Sequence, residues 1–95
     1  MKRLLTTATG REIPDTSAVP GRQYSHMLHI RTAALSFAEA AALFADPAET
    51  ATITYQDDDR RDVYEGYTTI LSIELSPLSS KPGELLIRLA REEQT

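Results

Sequence analysis

The chain contains no cysteine and no tryptophan. Without thiols there is no disulfide framework, no thiolate nucleophile and no cysteine-ligated zinc, a composition that fits a reducing compartment. Aromatic residues are few, four tyrosines and two phenylalanines, so the large rings that supply much of the burial in small domains are scarce. Long apolar runs are missing too. The least polar window, residues 33–45, is interrupted by Ser36 and Glu39 and falls short of the ~20 residues a membrane span needs. Behind Met1-Lys2-Arg3 only Leu4 and Leu5 are apolar before threonines begin, too short a stretch for a signal peptide. The expectation is a protein with no export signal and no membrane association.

Dense positive charge is a further absence. The net charge is −4; residues 1–31 carry five Lys/Arg against two acids, and residues 32–95 carry five against twelve. Nucleic-acid binders usually concentrate cations on one face, so this distribution argues against DNA or RNA as a partner. Catalytic signatures are missing as well: there is no G-x-S-x-G, P-loop, G-x-G-x-x-G or H-E-x-x-H. A chain of this size leaves little room for a deep ligand pocket. Neither an enzymatic activity nor a bound cofactor is expected.

Ninety-five residues make one domain, 1–95, which buries roughly 60–65% of the surface of its unfolded chain. Such a core is thin, and a partner protein or self-association could supply further contacts. Leu4-Leu5-Thr6-Thr7 and Glu12-Ile13 read as short strands around a turn at Gly10. Residues 14–22, with Pro14, Asp15, Ser17, Pro20 and Gly21, read as a flexible loop. From Gln23 to Thr32 the apolar period is two, with Tyr24, His26, Leu28 and Ile30 on one side and Ser25, Met27, His29 and Arg31 on the other. His26 and His29 therefore do not share a ligand site.

Ser36 and Glu39 form the signature of a capping box, with Leu35 and Ala40 as a hydrophobic staple. Phe37, Ala40, Ala41, Leu43 and Phe44 supply the apolar face of the helix that follows. Asp46-Pro47-Ala48-Glu49 repeats the start signal and predicts a single helical turn with a second capping box. Ala51, Ile53 and Tyr55 alternate with threonines as a strand. Asp62–Leu75 reads as one long strand with Val63, Tyr67, Leu71, Ile73 and Leu75 on one face, bent at Gly66. A loop around Pro77, Pro82 and Gly83 leads to a last strand through Leu85, Ile87 and Leu89, and residues 92–95 form a frayed tail. The predicted fold is α+β, in the order β-β-β-α-β-β-β, with one amphipathic helix packed on a curled, mostly antiparallel sheet.

The stretch YQDDDRRDVYEGY, residues 55–67, is the densest cluster of reactive side chains. A calcium loop starting at Asp57 would need glycine and glutamate where Asp62 and Thr68 stand. Arg60 and Arg61 would oppose a metal ion while pairing with its ligands. No metal site is expected there, and residues 57–62 read as the solvated tip of a hairpin between two strands. Tyr64 and Tyr67 differ in parity, which predicts one ring in the core and one outside. The candidate contact residues for a protein partner are Tyr24, Tyr55, Asp57, Asp58, Asp59, Arg60, Arg61 and Tyr64. The same tyrosines could instead serve only to stabilise the sheet across strands.

The segments SFAEAAALFADPAETATITY, YEGYTTILSIEL and LLIRLARE resemble small proteins of uncertain role encoded in tailed-phage and prophage gene clusters of gut Firmicutes. The resemblance runs over residues 28–91 and rests on a helix-then-strand pattern ending in Y-x-G-Y-T. It implies a non-enzymatic protein, in the bacterial cytoplasm or the virion, that acts by protein–protein contact. One form of this is a small virion or tail-module component assembling through sheet edges and the exposed tyrosine face. The alternative is an accessory protein that inhibits a host protein, such as an anti-defence factor, through the hairpin tip and the 14–22 loop. A chaperone or adaptor for another phage protein fits the same pattern.

Overall fold

A computed structural model describes residues 3–21, 26–75 and 83–91. Within them lie β1 (Leu4–Thr6), β2 (Glu12–Pro14), β3 (Thr16–Pro20), β4 (Met27–Thr32), α1 (Phe37–Phe44), α2 (Pro47–Thr50), β5 (Thr52–Gln56), β6 (Arg61–Glu65), β7 (Thr69–Leu75) and β8 (Leu85–Ala90). The strands make two four-stranded antiparallel sheets, β2-β1-β5-β6 and β3-β4-β8-β7. The class is α+β, as expected. The single curled sheet and the lone helix are corrected to two sheets and two short helices.

The reason lies in three places where the chain leaves one sheet for the other. Between β2 and β3 it turns at Asp15, a non-glycine residue at φ 52°, whose N–H donates to the Arg3 carbonyl at 2.8 Å. Between β4 and β5 it passes through α1 and α2. Between β6 and β7 it turns at Gly66, at φ 85°, a conformation that costs a side-chain-bearing residue energy. The expected bend at Gly66 is thus the end of one strand, and Asp62–Leu75 is not continuous.

That break also changes which side chains are buried. Val63 lies opposite Thr54 on the outer face of its sheet and is 47% exposed. A bulge between Ile70 and Ser72 resets the alternation in β7. Ile70 and Ile73 consequently both pack against the core, while Leu71 and Leu75 are exposed. Of the five residues expected on one face, only Tyr67 and Ile73 are directed inward against the core.

The 14–22 stretch is likewise corrected. Thr16–Pro20 is a strand paired along its length with β4, and Thr16 and Ala18 are fully buried. Small side chains gave it no apolar period. Its proline stands at the end of a sheet-edge strand, where a missing N–H is tolerated. Residues 22–25, 76–82 and 92–95 lie outside the described residues, and with them the start of the strand expected from Gln23, most of the loop before β8, and the tail.

α1 begins as its sequence requires. The Glu39 N–H donates to Ser36 Oγ and the Ser36 N–H to Glu39 Oε1, both at 3.1 Å. Ala40, Leu43 and Phe44 face inward, whereas Phe37 is 58% exposed and is not part of that face. At α2 the Asp46 carboxylate accepts from the Ala48 N–H at 3.0 Å. The second capping box does not form, because the Glu49 carboxylate accepts instead from the hydroxyls of Thr7 and Thr9. This ties α2 to the turn after β1, where the Ala8 N–H also donates to the Glu49 carbonyl.

Both sheets close on one core. Leu5, Ile13, Ile53 and Tyr55 enter from the first sheet, Leu28, Ile30, Leu85, Ile87 and Leu89 from the second, and Leu43 and Phe44 from α1. Each such aliphatic side chain contributes roughly 1.5–3 kcal/mol by leaving water.

Candidate functional site

Every candidate contact residue except Tyr24, which lies outside the described residues, belongs to the β5–β6 hairpin. The ladder runs from Thr52↔Glu65 to Gln56↔Arg61 and leaves residues 57–60 as the loop. The hairpin reading of the acidic cluster is therefore correct. Asp57 organises the turn: its N–H donates to the Arg60 carbonyl at 2.9 Å, and its Oδ1 accepts from the N–H groups of Asp59 and Arg60 at 2.8 and 2.9 Å. Its other oxygen accepts from the Tyr55 hydroxyl at 2.8 Å.

These bonds set the ionisation of both groups. The Asp57 carboxyl is held below the usual carboxylate range, first by the Asp59 N–H and next by the Tyr55 hydroxyl. Burial, reinforced by the bond to Asp57, pushes the Tyr55 phenol up. The Arg60 guanidinium lies over the Tyr55 ring, 5.1 Å from its centroid, and 3.3 Å from Asp62 Oδ2. Asp57, Arg60 and Asp62 are thus committed to the hairpin itself. Asp58 and Asp59 are exposed at its tip, and among the described residues no group of three His, Cys, Asp or Glu side chains is placed to hold a metal ion.

The expected tyrosine surface is corrected. Tyr55 is only 3% exposed and belongs to the core. Tyr67 is buried as well, and Tyr64 packs partly buried against the same cluster rather than standing on the outer face. Their rings meet edge to face with centroids 6.2 Å apart. Parity failed because the chain turns at Gly66 between the two tyrosines.

What the hairpin does present outward is the edge of its sheet. β6 is the terminal strand of the order β2-β1-β5-β6. Its outer face carries Arg61, Val63 and Glu65, all exposed, opposite the uncharged Gln56, Thr54 and Thr52 of β5. Among the described residues neither Arg61 nor Glu65 has an ion pair or side-chain hydrogen bond. The sequence placed Arg61 at the tip of the loop; pairing places it in the strand.

A second feature lies on the outer face of the other sheet, a groove of about 660 Å³ lined in part by Arg3, Val19, Met27, His29, Arg31 and Arg88. Burial, and then the charges of Arg88 and Arg31, hold the His29 imidazole below its usual value. Arg3 is bridged to Asp15 at 3.1 Å and Arg88 to Glu74 at 2.7 Å, so much of this positive charge is already compensated. The alternation of Met27, His29 and Arg31 was readable in the sequence. Their neighbour Arg88, opposite His29 in the ladder, comes from a distant segment that no local pattern connects to them.

No helix among the described residues is long and apolar enough to cross a membrane. The chain matches no protein-family model, no curated protein and no solved structure.

Proposed function

We propose that the protein works by contact with other protein chains rather than by catalysis, as a small structural component of a phage or prophage virion or tail module, in the host cytoplasm or the particle. The supporting observation is the edge of β6, the terminal strand of its sheet, which no other described residue pairs with and where Val63 is exposed between two charges that have no partner within the described residues. A sheet edge is a template for adding another strand. The test is the absolute mass in solution across a hundredfold concentration range, together with a search for the protein in purified particles. A defined oligomer, or stoichiometric incorporation into particles, is the expected result. A monomer at every concentration that is also absent from particles defeats the reading.

A second reading, an accessory protein that binds and inhibits a host protein such as a defence factor, is favoured by one observation. Asp58 and Asp59 project at the tip of a turn whose shape Asp57 holds, a compact negative feature suited to a basic partner surface. Capture of a stoichiometric host protein, lost in Asp58→Asn/Asp59→Asn, is its expected outcome.

A further inference from the structure

We infer that two copies of this chain join through β6, antiparallel about a two-fold axis at Val63, a register that deepens and rests on the contact reading above. The first observation is which backbone groups are available. In an antiparallel ladder, alternate residues direct both N–H and C=O toward the same neighbour. The Asp57 N–H bonds the Arg60 carbonyl at one end of the hairpin and the Gly66 N–H bonds the Ala51 carbonyl at the other. Asp62 and Tyr64 therefore turn their backbone groups toward β5, and Arg61, Val63 and Glu65 turn theirs away from it, toward a side with no paired strand among the described residues.

The second observation is that these three residues are self-complementary. Antiparallel pairing about Val63 sets Val63 against Val63 of the second copy, and Arg61 against its Glu65, twice by symmetry. All of these residues carry outward backbone groups, so each pair exchanges both of its main-chain bonds. Their side chains share the outer face, where the two Val63 side chains pack together and each Arg61 meets a carboxylate that has no partner among the described residues. The opposite face sets Asp62 against Tyr64 of the second copy. A one-residue slip would direct Asp62 and Tyr64 at the new strand with their backbone groups turned away.

The other edges are less suited. β2 has three residues and ends in Pro14. β3 ends in Pro20. β7 is interrupted by its bulge. These are the devices by which sheets discourage edge pairing. In β6 the charges themselves are the control: they oppose most incoming strands and accept one that runs antiparallel with the same sequence. A single strand pair covers less area than a standard stable interface, so the dimer is weak and concentration-dependent.

The test is sedimentation equilibrium up to about 1 mM chain on the wild type, Arg61→Glu, Glu65→Arg, the double variant, and an equimolar mixture of the two single variants. Each single variant sets like charges opposite each other at both symmetric positions and weakens association by about tenfold or more. The double variant and the mixture restore opposite charges and recover the wild-type constant, and 1 M salt narrows these differences. Val63→Pro removes one outward N–H without touching the β5 ladder, so it abolishes the dimer while circular dichroism and melting confirm the fold. Self-association that ignores all of these changes overturns the β6 register but leaves self-assembly standing. A monomeric wild type that is still incorporated into particles overturns the dimer alone, and a monomer absent from particles overturns both readings.

Discussion

The hydroxyls of Thr16 and Thr32 meet 2.8 Å apart inside the core, joining two strands that pair in register. Thr16 also donates to the Pro14 carbonyl at 3.0 Å, and Thr32 Oγ1 accepts from the Ala34 N–H at 3.1 Å. This small network satisfies polar groups at the corner where the chain enters the second sheet and at the exit toward α1. Thr32→Val keeps the shape but removes the buried bond between the Thr16 and Thr32 hydroxyls, at a cost of about 1 kcal/mol. Thr32→Ser retains the hydroxyl and recovers part of the loss. Urea unfolding of the three proteins measures both differences.

The two phenylalanines answer to different environments. Phe44 is fully buried, so Phe44→Ala lowers unfolding free energy by about 3–5 kcal/mol. Phe37 is largely in solvent, and Phe37→Ala changes stability by no more than about 0.5 kcal/mol. Equal losses in the two variants, measured by denaturant midpoints at constant slope, would contradict the placement of the helix.

Ser36→Ala removes the cap of α1 and costs about 1 kcal/mol. The same change has a titration signature. The Glu39 carboxyl lies below its usual value because of bonds to the Ser36 backbone and then to its side chain. Loss of the hydroxyl moves it part of the way back up, which a carbon-detected NMR titration of Glu39 records.

Asp57 predicts a loss of stability in acid. Its folded-state value is depressed, so the unfolded chain takes up the proton first as pH falls. The stabilisation is present above the ordinary carboxylate value and is lost as pH drops through the folded value. Tyr55→Phe removes the phenol hydroxyl, the second cause of the depression, while leaving the Asp59 N–H in place. The Asp57 value therefore rises but stays below that of a free carboxylate. At the alkaline end the sign reverses: the raised Tyr55 phenol keeps its stabilisation below the ordinary tyrosine value and loses it as pH rises through the folded one. NMR titration and pH-dependent melts check both limbs.

Local chemistry made part of this structure readable. The capping box at Ser36, the proline-started turn at Asp46, the Gly10 turn and the aspartate-rich hairpin tip involve groups within a few residues of one another. Their geometry follows from hydrogen bonds the segment makes with itself. β3 was hidden because Thr16, Ser17 and Ala18 carry no strong alternation, and its strand conformation is imposed by pairing with β4. The candidate site divides in the same way. The turn around Asp57 was visible, but the edge of β6 was not, since being an edge depends on what the remaining strands leave uncovered.

The sequence by itself determined the class of the fold, the start of each helix and a hairpin tip within residues 57–62, because short-range hydrogen bonding and binary pattern act within a segment; pairing narrowed the loop to 57–60. Tertiary structure decided the split into two sheets, the burial of Tyr55 and the outward placement of Val63 and Phe37. Those outcomes depend on where the chain crosses between layers, at Asp15 and Gly66 among other places. A single turn or a one-residue bulge there reverses every side chain that follows it.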